Sequence, residues 1–450
     1  MKRSLDKLPA EPMDRFMRPF AQFLRVEAAA GSVLLLCTVI ALALSNSGWR
    51  DTYMELWETT VALRWGDAEF SRSFKHWIID GGMTLFFFVI ALELKREMVF
   101  GGLRNLRSAA FSMAAAIGGM VVPAVLFTWL RGGGMEGRAW GVVMATDTAF
   151  VVGCLALLGS RIPPSLRLFL LSLAIFDDIG AIVVIAIGYG GGIDWLALGC
   201  VAVSLFGVLL MRSMGIRHVV AYIVAGVLAW LALDRSGIHP TTVGMLLGLM
   251  TPTGRWVSDS RLKAILGKVV AYPPGNDRAG DSGDRQDLRR AGIAAREAFS
   301  PLERLELALH PWVAFLVLPA FALASAGLPM SQVAVDWSLA TAVAIGLFCG
   351  KPLGVLSFAY AANALGWASR PARLTWALIG GGAMLTGIGF SMSLLIAELA
   401  LRADELGSAK IGILSASTLS AVCGLATLTW LTSKRHRMAE ASRADRSKRH

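Results

Sequence analysis

Charge is scarce in this chain of 450 residues: 17% of its positions are Asp, Glu, Lys or Arg, against 55% hydrophobic residues and a mean hydropathy of +0.59. That deficit excludes an ordinary soluble globular domain, in which about a quarter of residues are charged. Cysteine is scarce too. The five present (Cys37, Cys154, Cys200, Cys349, Cys423) lie inside apolar runs without paired spacing, which excludes a disulfide framework and a zinc site. No phosphate-binding glycine loop and no Cys/His cluster occurs, so no cofactor, nucleotide or resident metal centre is expected. A net charge of +11 would suit nucleic acid, but the basic residues sit in short pieces between hydrophobic runs, as membrane orientation requires. The 47 glycines fit close helix packing and broken helices in lipid.

Long apolar runs are what the chain does have. Hydropathy predicts an all-α polytopic membrane protein with about 12 spans. They centre on 27–46, 77–100, 108–130, 139–159, 167–189, 194–212, 218–234, 239–252, 308–328, 337–360, 374–400 and 409–431, called spans 1 to 12 below. ALALS after the first run resembles a signal-peptidase site, but the long preceding region favours an uncleaved helix. Lys and Arg concentrate in the loops that lie inside if both termini are cytoplasmic, which requires an even number of spans. The expected division is a cytoplasmic tail at 1–25, spans 1 to 8 within 26–252, a cytoplasmic loop at 253–306, spans 9 to 12 within 307–431, and a basic cytoplasmic tail at 432–450. Residues 61–72 alternate apolar and polar around Gly66-Asp67, the pattern of an external β-hairpin able to pair edge to edge with a second copy. The 253–306 loop is turn-rich, and a regulatory role is expected of it rather than chemistry.

Span 5 carries Asp177 and Asp178 at its centre. A carboxylate at mid-membrane costs about 3 kcal/mol on insertion scales, so such acids face a partner, a cavity or an ion path. Successive helical residues point about 100° apart, which assigns the two acids different roles.

Three other spans carry polar groups at mid-depth. Asp147 lies between Thr146 and Thr148 in span 4, Lys351 precedes Pro352 in span 10, and span 11 contains GGGAMLTGIGFSMS, where Gly387 and Gly389 permit an unwound turn. Suspected breaks in spans 4 and 11, seven apart, make spans 3–5 and 10–12 inverted repeats whose middle members cross at mid-membrane. A break exposes a helix N-terminus and a C-terminus carrying about half a charge each. Asp147 and Lys351 have the signs that neutralise those ends.

Together ATDTAF, AIFDDIGA, GKPLG, TGIGFSMS, IIDGGMTLFFFVIALELKRE and RLELALHPWVAF resemble the NhaA family of bacterial sodium/proton antiporters, from about residue 20 to residue 431. That family is itself a type case of inverted repeats with broken helices. The resemblance implies that Asp178 is the main cation ligand, with Thr146 as a further Na⁺ or Li⁺ ligand. Asp177 and Lys351 would be a proton-sensitive pair, Asp147 and Thr146 would lie at the crossing, and Asp80 in an ion funnel. Glu93, Glu97, His239 and Glu306 match positions of pH response. Leu307 departs from the family pattern, where a histidine follows the matched glutamate, and the 253–306 loop is longer than usual.

The implied function is an electrogenic, pH-regulated Na⁺(Li⁺)/H⁺ antiporter, a secondary transporter and not an enzyme. It would export sodium for more than one incoming proton by alternating access, from a bacterial inner membrane, as a homodimer, with membrane lipid as a partner and no nucleic acid. Hard cations take carboxylate, hydroxyl and carbonyl oxygens, and a carboxylate that holds either a proton or a sodium ion couples the two. Two other classes compete. An intramembrane aspartyl protease needs two acids on separate helices, one in GxGD, whereas here GIGF lacks the aspartate and the acids are adjacent. An uncoupled cation channel would need a selectivity ring, and none is evident.

Overall fold

The computed structural model describes residues 27–65, 68–100, 106–132, 137–188, 194–214, 219–254, 259–270, 289–294, 298–329, 335–371 and 374–447. Apolar runs of this length fold as helices because a segment in hydrocarbon must satisfy its own backbone hydrogen bonds. Among the described residues eight helices are long and apolar enough to cross a membrane, or up to ten if each of two sharply bent helix pairs is one span. The two remaining expected spans are also helical, at Val219–Arg235 and the ten-residue Thr241–Met250. The 1–25 tail and much of the 253–306 loop lie outside the described residues.

Two compact units divide the chain. One comprises Met1–Met83, Asn105–Gly191 and Val313–His450; the other comprises Thr84–Arg104 and Gly192–Trp312.

In the first unit, span 1 (Glu27–Ser45) is followed by a second helix, Arg50–Glu58, turned 115° from it. That amphipathic helix buries Tyr53 and Trp57; the Tyr53 hydroxyl donates to the Leu323 carbonyl, and Trp57 stacks on Phe74 with centroids 5.6 Å apart. Strands β1 (Thr60–Trp65) and β2 (Ala68–Ser73) then pair antiparallel, Trp65 opposite Ala68. The register leaves a two-residue connection, Gly66-Asp67, which lies outside the described residues.

Spans 4 and 11 are interrupted. Span 4 is a 3-10 helix at Gly137–Val143, then non-helical backbone, then an α-helix at Thr148–Leu158. Span 11 is two helices, Trp376–Thr386 and Phe390–Ala400, bent by 44°. Span 10 is continuous but widens to a π-helix at Gly346–Gly350, immediately before Lys351–Ala364. Similar wide turns occur at Trp77–Gly82 in span 2 and Val313–Val317 in span 9. In spans 9 and 10 a proline, Pro319 or Pro352, follows at once, and the widened turn relieves the clash of its ring with the preceding carbonyls.

Span 10 lies very close to span 3 (Leu106–Leu130). A Cβ on Gly118 would fall 2.2 Å from the Gly354 carbonyl oxygen, and one on Gly354 would fall 2.0 Å from that of Gly118. Only glycines permit this approach, which fixes Lys351 one turn away. Asp336 caps the helix Trp337–Ile345 through the Ser338 and Leu339 N–H groups at 2.9 and 3.2 Å, and accepts from Arg131 at 2.9 Å. Partial desolvation pushes its carboxyl up, but the Leu339 N–H, Arg131 and the Ser338 N–H outweigh it and hold the group below the usual carboxylate range. Span 12 is one helix from Ala403 to Ser447, running well past the expected end at 431.

The second unit packs Val201, Ala229, Leu233 and Val243 together. Its ten-residue helix Thr241–Met250 ends under two cations: Lys95 donates to the Leu249 and Thr251 carbonyls at 2.5 and 2.7 Å, and Arg212 to the Met250 carbonyl at 3.1 Å. Cations at a helix C-terminus satisfy orphan carbonyls and oppose its partial negative charge, which stops so short a helix cleanly.

Candidate functional site

The break in span 4 is built around Asp147, the residue before Thr148–Leu158. Its Oδ1 accepts the Phe150 N–H at 3.0 Å, as an N-cap does, while its Oδ2 accepts the Ser391 N–H of span 11 at 2.9 Å. Its own N–H donates to the Ile388 carbonyl at 2.7 Å. Two helix N-termini, each worth about half a positive charge, therefore converge on one carboxylate that is 1% exposed.

The opposite helix end is served through Thr146. Its hydroxyl donates to the Thr386 carbonyl at 3.0 Å, at the end of the first half of span 11, and accepts a hydrogen bond from Lys351 Nζ. The same Nζ donates to Asp177 Oδ2 at 2.7 Å, with both side chains 1% exposed. Asp177 Oδ1 is buried without a hydrogen-bond partner among the described residues. Asp178 faces elsewhere: its Oδ2 accepts from the Thr148 hydroxyl at 3.0 Å. The two adjacent acids thus diverge, one toward the lysine and the other toward a threonine on the broken span.

The sequence suggests Thr146 as a cation ligand beside Asp178 and as a residue of the crossing. In the structure Thr146 serves Lys351 and the helix end, and Thr148 is the hydroxyl beside Asp178. Gly387 and Gly389 also differ from expectation. Their φ values are −69° and −91°, open to any residue, so the break does not need their backbone freedom. It needs their room: a Cβ on Gly387 would fall 2.4 Å from Ser420 Oγ, and one on Gly389 2.2 Å from Ser393 Oγ.

Asp80 is buried in the wide turn Trp77–Gly82. In the second unit, Glu93, Glu97 and Glu306 come together around Arg96, which hydrogen-bonds Glu306 and lies 3.5 Å from Glu97 and 4.0 Å from Glu93. Arg96 joins the expected glutamates as a fourth member, and its position between Glu93 and Glu97 in the sequence is the signal that marks it. His239 lies apart, its Nδ1 2.8 Å from the Thr241 hydroxyl.

Two spans broken where they cross, formal charges on the exposed helix ends and two adjacent buried carboxylates that face different partners define a secondary transporter that exchanges ions. The comparisons narrow the class. A family model described as Na⁺/H⁺ antiporter 1 matches residues 21–428. A Na(+)/H(+) antiporter NhaA of Rhizobium meliloti (strain 1021) is 54% identical over 437 residues, covering 97% of this chain and 100% of that protein. The Na(+)/H(+) antiporter NhaA 2 of Vibrio vulnificus (strain CMCP6) is 46% identical over 434 residues, covering 96% of each. The solved structure of the sodium proton antiporter MjNhaP1 from Methanocaldococcus jannaschii aligns over 90% of this chain and 92% of its own, with a TM-score of 0.50 at 14% identity, a likeness of fold alone. The chain belongs to the Na⁺/H⁺ antiporter 1 family, as an NhaA-type antiporter. It is a multi-pass membrane protein that exchanges Na⁺ for H⁺, a transporter and not an enzyme.

Proposed function

We propose that Asp178 is the group at which Na⁺ or Li⁺ and a proton compete, and that Asp177 with Lys351 carries further protons. The carrying observation is the divergence of the two acids: Asp177 is ion-paired with Lys351, while Asp178 turns to the Thr148 hydroxyl on the broken span, the kind of hard oxygen that a sodium or lithium ion takes. Thr148 supplies a hard oxygen beside it, and Thr146, two residues away at the same break, supplies a second through its remaining lone pair. An anion buried at mid-membrane is costly alone, so the site holds one cargo or the other, and that exclusion is the coupling.

Spans 4 and 11 with their neighbours move about this fixed site, giving alternating access. Because Asp177 and Lys351 exchange protons too, more than one proton enters per sodium leaving, and the cycle is electrogenic. Each net charge moved inward across 100 mV supplies about 2.3 kcal/mol, which drives sodium out when the pH gradient alone would not. The Arg96 group with Glu93, Glu97 and Glu306 sets the pH response, with His239 contributing separately, and Asp80 belongs to the ion path. The protein sits in a bacterial inner membrane with both termini cytoplasmic, in contact with lipid, and pairs as a homodimer through β1 and β2.

The test is reconstitution in sealed liposomes with an internal pH dye, with Asp178→Asn run beside the parent. Addition of Na⁺ or Li⁺, but not K⁺, collapses an imposed pH gradient only with the parent, and more steeply toward alkaline pH. Normal sodium-driven proton flux in Asp178→Asn sinks the assignment. Sodium crossing with the gradient untouched makes the protein an uncoupled cation pathway.

A further inference from the structure

Glu398, on the second half of span 11, holds two lysines. Its Oε2 accepts from Lys75 Nζ at 2.7 Å, and its Oε1 lies 3.1 Å from Lys410 Nζ. Lys410 lies two turns into span 12, whereas Lys75 belongs to the short helical turn Phe74–His76 between β2 and span 2. The Glu398 and Lys410 side chains are 11% and 7% exposed; that of Lys75 is 25% exposed.

The cluster stands clear of the ion crossing. Glu398 is eight residues beyond Phe390, about 12 Å along the helix at 1.5 Å per residue. Lys410 is seven residues before Ser417, whose hydroxyl accepts the Phe390 N–H, so span 12 independently gives about 10 Å. Both helices put it on the hairpin side of the break, which is the outer side in the orientation proposed above. This inference rests on that reading and on alternating access.

The two ion pairs differ in what they join. Glu398 and Lys410 belong to the same triplet of spans, 10 to 12, and travel together. Lys75 lies outside both triplets. When one bundle moves against the rest of the molecule about a central site, a bond within it survives and a bond leaving it on the opening side must part. Parting a buried ion pair is normally prohibitive, because it strands an uncompensated charge. A carboxylate shared by two lysines escapes that penalty: when Lys75 leaves, Glu398 still has Lys410. The departing lysine is also the one with water at hand. The wide turn Trp77–Gly82 directly after it is a place where span 2 can change register.

We propose that the Lys75–Glu398 ion pair is the latch of an outer gate, closed in this structure and released once per transport cycle, while Glu398–Lys410 stays joined. The experiment uses the full chain with its five native cysteines replaced by serine or alanine, carrying Lys75→Cys with Glu398→Cys, or Glu398→Cys with Lys410→Cys as the control. A short bis-methanethiosulfonate joins each pair in proteoliposomes. Joining positions 75 and 398 is expected to cut sodium-driven proton exchange at least tenfold, reversibly with a reductant, while joining 398 and 410 leaves most of it. Undiminished exchange with 75 and 398 joined overturns the latch.

A second measurement needs no transport. Leu395→Cys, at a fully buried position less than one turn from Glu398, is labelled with a membrane-impermeant maleimide. Adding Glu398→Gln is expected to raise the labelling rate several-fold, and an unchanged rate overturns the proposal as well. If the parent exchanges no protons for sodium, the ion-site reading has failed, and the labelling still reads the gate.

Discussion

Asp147 and Ser391 are joined across the crossing of spans 4 and 11, the carboxylate of one accepting the backbone N–H of the other at 2.9 Å while its second oxygen holds Phe150 at 3.0 Å. One side chain therefore terminates two half-helices. Asp147→Asn keeps one acceptor but turns an amide donor toward an N–H. It is expected to lose one charge-assisted bond of about 1.5–3 kcal/mol and to slow exchange at least about tenfold; Asp147→Ala loses both bonds and is worse. Melting in detergent and sodium-driven proton flux read the two effects. A variant equal to the parent in both would show that the carboxylate is not the joint.

The two threonines beside Asp147 have separable effects. Thr148→Val removes the hydroxyl at Asp178 and is expected to raise the KM for Na⁺ by roughly tenfold with little change in kcat, the signature of lost uniform binding. Thr146→Val breaks the bridge from Lys351 to the Thr386 carbonyl and is expected to act on kcat. The opposite split would make Thr146, and not Thr148, the main hydroxyl ligand.

Asp177 and Lys351 bury their charges in each other. Removing one partner strands the other, so Asp177→Asn and Lys351→Met should each destabilise the fold by about 3–5 kcal/mol, and the double variant by much less than their sum. A double-mutant cycle on thermal unfolding checks this. Additive penalties would mean that the pair is not coupled.

Asp336 supplies a pH-dependent term. Its folded-state value lies below the unfolded one, so its stabilisation is complete above the unfolded value of about 3.9 and is lost as the pH falls through the folded value. Asp336→Ala should cost about 1 kcal/mol at neutral pH and progressively less in acid. Asp336→Asn should retain most of the cap while losing the pairing with Arg131. Melting temperatures at neutral and acid pH decide it; a penalty independent of pH would leave the cap without a charge contribution.

Much of the site could be read in the sequence because it depends on short-range geometry. Adjacent residues on a helix diverge by about 100°, and Asp177 and Asp178 do face different partners. The choice between Thr146 and Thr148 could not be read the same way, since residues 144–147 are not helical and no periodicity applies to them. The sequence marks Gly387 and Gly389 for backbone freedom, whereas their neighbours Ser420 and Ser393, one distant in sequence and one near, demand their smallness. Lys75 and Glu398 are 323 positions apart, and nothing local announces that they meet. The helix Arg50–Glu58 escaped because its apolar face is too narrow to raise hydropathy above that of a loop.

The wide turns at Trp77–Gly82, Val313–Val317 and Gly346–Gly350 have a consequence for anyone drawing helical wheels. Each houses a residue beyond what an α-helix of the same rise would use. A wheel plotted straight through span 2, 9 or 10 is therefore out of phase by one position, about 100°, on the far side of the turn. Lys351 begins the far side in span 10, so a wheel started at Trp337 assigns it to the wrong neighbour, and the stripe that carries it must be counted from Gly350 onward.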